Sequence, residues 1–357
     1  MKRKKIGMLL LAFPLVVAMA LLPGCGKVNQ SVNNDKKNTE SLDVPVATQE
    51  VFAMDTYMTL TGYGDNCEAA VAAAVEEIQR LDALFSMGSA ASEIAKLNMD
   101  GTVSVSEDTA VVISQALELF DTTGGVFDIS IYPVMELWGF TTDNCKEPTV
   151  EELSSTLEYV DASKIQYDAN AKTVSIQPGQ GIDLGGIAKG YTSDRVVEIF
   201  EEYGLEAGLI DLGGNVHCYS EKIDGSLWNC GIQDPDDENA VMCILSVKDR
   251  AVITSGGYER FFTDSSTGKT WHHIIDPATG YSADSGLISV TIVSEKGMLA
   301  DGLSTSLYIM GLDQAIEYWR QYKDSFDVIL VTEDRNIYVS EGISGSIYCE
   351  EGFTVIK

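Results

Sequence analysis

Histidine is nearly absent from this chain of 357 residues: His217, His272 and His273 are all it has. An imidazole-rich metal site therefore has few ligands to draw on, and the seven cysteines do not make up the deficit. None of them forms a Cys-x-x-Cys pair, so a thiolate zinc site lacks its usual spacing. Basic residues are also scarce, with 24 Lys and Arg against 54 Asp and Glu and a formal net charge of −30. That balance argues against nucleic acid as a partner, because phosphate backbones need basic patches. It argues equally against broad adhesion to anionic lipid. A polyanionic ligand would need a cation to offset the repulsion locally. No short-period repeat and no low-complexity linker interrupts the body of the chain.

What is present begins at the N-terminus. Lys2, Arg3, Lys4 and Lys5 precede an apolar run from Met8 to Leu22, and Pro23, Gly24 and Cys25 follow. This is a charged n-region, an h-region short for a membrane span, and a small residue before a cysteine. It resembles a bacterial lipoprotein signal, in which residues 1–24 are removed and Cys25 is lipidated to become the mature N-terminus. Cleavage would remove four positive charges and no negative ones, leaving −34. Residues 25–45 are rich in Asn, Lys, Ser and Asp, too polar to bury a core, and read as a flexible tether. The expected location is the extracytoplasmic face of the cell membrane, with residues 46–357 as one functional domain. Beyond Cys25 six cysteines remain. Their even number permits disulfides, but a chain this long builds a core without them, and buried free thiols are the expected state.

Hydrophobic periodicity gives a coarse outline. Met54 to Tyr63 alternates like a strand, and Cys67 to Phe85 carries Val71, Val75, Ile78, Leu81 and Leu84 at helical spacing. A second helix is expected over 109–122, ending at Gly124-Gly125, and a third over 191–203. Hairpins are expected at 165–167 with 173–177 and at 328–332 with 337–339. No regular β-α-β alternation emerges, which favours an α+β fold of packed helices and mixed, largely antiparallel sheets.

Near the C-terminus, Asp301 and Thr305 stand four residues apart amid Leu299, Leu303, Leu307 and Met310 at helical spacing. Their oxygens would lie one turn apart on one face, an arrangement suited to a hard cation such as Mg²⁺, although the pair alone more often marks a solvated helix face. Four clusters add to this pair: Gly124-Gly125-Val126-Phe127-Asp128, Asp183-Leu184-Gly185-Gly186-Ile187-Ala188-Lys189-Gly190-Tyr191, Leu212-Gly213-Gly214-Asn215, and Thr254-Ser255-Gly256-Gly257-Tyr258-Glu259-Arg260. Glycine pairs after apolar strands let backbone approach a bulky ligand, though each alone also suits an ordinary tight turn. The Asp183 to Tyr191 stretch contains neither a dinucleotide fingerprint nor a P-loop. His273, beside Ile274-Ile275-Asp276-Pro277-Ala278-Thr279-Gly280, titrates near neutrality in its free form and suits proton transfer. On a strand only one of His272 and His273 would face such a site.

Together and in this order, these motifs resemble the ApbE family of FAD:protein FMN transferases from about Phe52 to at least Leu312. Asp55 after Met54 and Tyr281 after Thr279-Gly280 depart from the family pattern. The resemblance implies an FAD cleft between two closely joined halves, and Mg²⁺-dependent transfer of FMN to a Thr or Ser of an acceptor flavoprotein with release of AMP. It assigns Asp301, Thr305 and the Gly186 carbonyl to the metal, and Met54, Val126, Phe127, Asp128, Asp183, Lys189 and Ile275 to FAD. His273 becomes the catalytic base or positioning group, and the acceptors become flavoprotein subunits of membrane or extracellular electron-transfer chains. An FAD pyrophosphatase or a non-catalytic FAD-binding lipoprotein are the alternatives. The segments from Asp264 and from Asp276 loosely resemble the acceptor pattern itself; a plain turn is the expected reading of both.

Overall fold

A computed structural model describes residues 44–357 apart from Asp143 and Ser266. The expected signal, Cys25 and nearly all of the tether lie outside the described residues.

The chain begins with a hairpin. Met58 and Leu60 point inward from Thr56–Tyr63, which pairs antiparallel with Val46–Ala53. The intervening Met54 and Asp55 both have positive φ, 49° and 59°, as a two-residue hairpin turn of matching twist requires. The first of these strands shows little alternation in sequence because it is an edge strand with mostly exposed positions. The sequence pattern does not reveal it for that reason, and the strand expected from Met54 starts two residues later.

Nine strands form the main sheet, lying side by side in the order the chain makes them. After the first hairpin come Ala207–Leu212, Asn215–Tyr219, Arg250–Gly256, Leu287–Ser294, Asp327–Thr332, Ile337–Ser340 and Thr354–Ile356. Neighbours are antiparallel except for the last pair, which is parallel. The expected largely antiparallel α+β architecture holds.

Between the second and third strands the chain leaves the sheet and builds helices: α1 Cys67–Phe85, α2 Glu93–Asp100, α3 Glu107–Thr122, α4 Tyr132–Trp138, α5 Val150–Leu157 and α6 Ala188–Glu202. α7 Gly297–Met310 and α8 Leu312–Tyr322 follow later. α1 lays Val71, Ala74 and Ile78 against Met58, Leu60 and Phe200. Each fully buried Leu or Ile side chain there contributes roughly 1.5–3 kcal/mol over its exposed state. α7 is buried on nearly every side, packed between the sheet and α6. Its Gly, Ala and Ser positions make that close packing possible.

The helix expected from Tyr191 starts at Ala188, so Lys189 and Gly190 belong to its first turn. Cys243 and Cys349 are directly opposite on adjacent strands and form a disulfide, contrary to the expectation of free thiols, while Cys67, Cys145, Cys218 and Cys230 are thiols as expected. The sequence separation of 106 between Cys243 and Cys349 hid the pairing. None of the helices among the described residues is long and apolar enough to cross a membrane.

Candidate active site

The site is organised by the contact of α6 with α7. A Cβ on Gly190 would lie 2.2 Å from the Gly297 carbonyl oxygen and 2.6 Å from the Asp301 Cβ. Backbones this close exclude any side chain, and the close approach delivers Asp301 to the N-terminus of α6. There its Oδ2 accepts the Gly190 N–H at 2.8 Å, and its Oδ1 accepts Asn215 Nδ2 at 2.9 Å. Unpaired N–H groups and the helix dipole favour a negative charge at that point. Burial nonetheless raises the Asp301 pKa, against the opposing pull of Lys189 and of these hydrogen bonds. A buried carboxylate held in this way is short of positive charge. Gly190→Ala is expected to destabilise the fold by about 1–3 kcal/mol or more through overpacking, read as a lowered urea midpoint.

Thr305 lies one turn along α7, half-buried, its Oγ1 3.4 Å from Ser255 Oγ. Gly186 is its neighbour: a Cβ built there would lie 3.8 Å from Thr305 Oγ1 and 3.3 Å from the Phe127 ring. Asp301, Thr305 and the Gly186 turn are thus brought together, as expected. With a third hydrogen bond from the Lys189 N–H, the Asp301 carboxylate has three of its four lone pairs engaged and one left for a cation. With the Thr305 hydroxyl one turn on and the Gly186 backbone next to that hydroxyl, this set fits a hard cation that prefers oxygen and keeps positions open for phosphate. Among the described residues no group of three or more His, Cys, Asp and Glu side chains could hold a metal. A cation site here would accordingly be a mixed one.

Lys189 is half-buried, makes no ion pair among the described residues, and acts electrostatically on Asp211, Glu259 and Asp301. His273 follows the strand Thr270–His272. Its Nδ1 lies 3.1 Å from the Arg260 carbonyl oxygen. That oxygen can only accept, so Nδ1 carries the proton and Nε2 keeps its lone pair. Burial pushes the imidazole down to about 3, with the cations Arg260 and Lys189 acting in the same direction. His272 instead turns its Nε2 to the Ala283 carbonyl and meets Tyr308 edge-on. The two rings thus have separate partners.

The remaining expected residues divide in two. Met54 approaches α6, where Thr192 Oγ1 lies 3.7 Å from its sulfur, and its N–H donates to Asp82. Phe127 is buried beside Gly186, and the half-buried Val126 precedes it. Asp183 is half-buried, accepts the Gly185 N–H at 2.7 Å, and has its pKa raised by burial. Asp128 turns inward: its carboxylate accepts from Ser130 N, Ser130 Oγ and Ala162 N. Ile275 is buried in an aromatic cluster with Trp138, Phe140 and Trp271. Trp138 Nε1 donates to the Gly280 carbonyl at 2.8 Å, tying two distant motifs together. The turn from Asp276 is an ordinary one, with Ala278 N and Thr279 Oγ1 on its carboxylate.

Asn215 and Ser255 lie within the sequence motifs but have no expected role of their own. Asn215 opens its strand directly after the Gly213-Gly214 turn, where a Cβ on Gly213 would lie 2.1 Å from Thr56 Oγ1. An amide immediately after a glycine turn at a strand start was the available signal.

Fold and site define an α+β protein in which the contact of α6 with α7 gathers the Asp301 carboxylate, the Thr305 hydroxyl, the Gly186 turn and the Lys189 cation. The ApbE family model matches residues 54–330, and the chain belongs to the ApbE family. It is 32% identical over 264 residues to the FAD:protein FMN transferase of Haemophilus influenzae, spanning 71% of this chain and 75% of that protein. It is 32% identical over 278 residues to the FAD:protein FMN transferase of Klebsiella pneumoniae, spanning 76% and 85%. Among solved structures, the ApbE protein of Thermotoga maritima superposes with a TM-score of 0.79 at 32% identity, covering 85% of this chain and 99% of that one. The flavin transferase ApbE of Vibrio cholerae gives 0.75 at 25% identity, with the same coverage.

Proposed function

We propose that this protein transfers FMN from FAD to a Thr or Ser side chain of a partner flavoprotein, using Mg²⁺ and releasing AMP. The observation that carries the reading is the Asp301 carboxylate, fixed at the N-terminus of α6 one turn from Thr305 and beside Gly186. Asp301, Thr305 and the Gly186 carbonyl would hold the cation. When bound, Mg²⁺ supplies charge compensation for the pyrophosphate in an otherwise acidic protein. Lys189 adds a fixed positive charge at the phosphates. Neutral His273, oriented by the Arg260 carbonyl, takes the acceptor hydroxyl proton on Nε2. The acceptor oxygen then bonds to the flavin-side phosphorus as the bond to AMP breaks.

His273 is only half-buried, so water can reach the position an acceptor hydroxyl would occupy, and FAD hydrolysis is the second reading. Incubation with FAD and Mg²⁺ separates the two: transfer predicts FMN mass on an acceptor peptide and little AMP without it. Fast AMP release regardless of acceptor makes the protein a pyrophosphatase, and neither product makes it a flavin carrier. From the N-terminal sequence we place it lipid-anchored through Cys25 on the extracytoplasmic face, maturing flavoprotein subunits of electron-transfer chains. Covalent FMN on membrane proteins, compared between cells with and without this protein, tests that placement.

A further inference from the structure

The core between the main sheet and the sheet of Trp228–Asp234, Asp237–Val247 and Ile347–Cys349 contains four cysteines. Two of them, Cys243 and Cys349, are bonded. The other two, Cys218 on the main sheet and Cys230 on the small one, are buried with their sulfurs 3.5 Å apart. We propose that Cys218 and Cys230 form a second disulfide that fastens the small sheet to the main one. The two thiols lose two protons and two electrons to an external disulfide, which leaves as two thiols, and the new sulfur–sulfur bond forms as the chain folds and before the core closes. The test refolds the full chain in a mixture of oxidised and reduced glutathione, then alkylates it after denaturation without reduction. A Cys218–Cys230 cross-linked peptide and a mass four hydrogens below that of the reduced chain are expected. Alkylated Cys218 and Cys230 in protein whose Cys243–Cys349 bond is intact overturns the proposal, because that bond shows the conditions sufficed.

A separate observation concerns the helix pair beneath the cation site. Asp194 on α6 accepts the first two N–H groups of α7, Gly297 at 2.6 Å and Met298 at 2.9 Å. Asp301 on α7 accepts from the first turn of α6 in return. Each helix thus caps the other with a carboxylate, across a glycine contact that leaves no slack. His217 closes the back of this arrangement, its Nδ1 3.2 Å from Ser193 Oγ, which donates to the Gly190 carbonyl. We infer that Asp194 is a positioning residue that sets where α7 presents Asp301 and Thr305; this rests on the transferase reading above.

Asp194→Asn keeps the shape and loses the charge and one acceptor. It is expected to lower kcat about tenfold or more while the KM for FAD changes less than about threefold. The Mg²⁺ concentration giving half of the metal-induced rise in melting temperature should increase about tenfold, with partial recovery in Asp194→Glu. An unchanged metal response in a folded Asp194→Asn protein overturns the inference. A wild-type protein that binds Mg²⁺ but makes no FMN adduct instead overturns the transferase reading, leaving the thermal shift to judge Asp194.

Discussion

Asp301→Ala is expected to abolish FMN transfer, lowering kcat/KM by at least about a thousandfold. The substitution removes the charged oxygen ligand and leaves the Gly190 N–H and the Asn215 amide without an acceptor. Both effects converge on the same few ångströms. A loss of folding could imitate this result, so the thermal response decides the interpretation. In the wild-type protein Mg²⁺ should raise the melting temperature, because a cation relieves the buried carboxylate whose pKa burial has raised. Asp301→Ala should fold and show no such rise. Retention of both activity and metal response would falsify the assignment of Asp301 to the cation.

His273→Gln is the second large effect, and its signature differs. Loss of the proton acceptor should slow kcat by about a hundredfold to ten-thousandfold, with the KM for FAD changed by less than about threefold. An equal loss in both would make His273 a binding residue. The pH dependence follows from the direction of the shift. With the folded imidazole at about 3, it stays neutral through the physiological range, so its protonation should leave the wild-type rate untouched until strongly acidic pH. The unfolded chain takes up a proton at the ordinary histidine value near 6.5, which the folded protein refuses. This residue's contribution to stability is therefore complete above 6.5 and declines as the pH falls toward 3. Chemical denaturation of wild type and His273→Gln across that window should show a shallower acid decline in the variant.

Much of the site could be read in the sequence because its members cluster in short motifs. Asp301 and Thr305 share one helix, and Gly186 and Lys189 lie within a few residues of each other around the start of another. Helical spacing and glycine pairs carry that kind of information. Relations between elements are a different matter. Asn215 reaches Asp301 across 86 positions, and Asp194 reaches Gly297 across 103. No periodicity records such distances. Gly190 illustrates the conflict between the two levels. The helix is expected to begin after it, at Tyr191, whereas it starts at Ala188 and the close contact with α7 falls on Gly190 inside the first turn. The edge strand Val46–Ala53 and the Cys243–Cys349 bond are hidden for related reasons, one by the exposure of most of its positions, the other by distance along the chain.

The order of strands in the main sheet has a consequence for how the molecule assembles. Thr56–Tyr63 finds its second neighbour only at Ala207–Leu212, with Thr59 opposite Asp211, after the whole helical excursion has been made. Closing so long a loop must precede the pairing that rewards it, which slows folding. During synthesis the first hairpin therefore waits with one edge unpaired, and a chain that stops short of residue 207 has no strand to complete it.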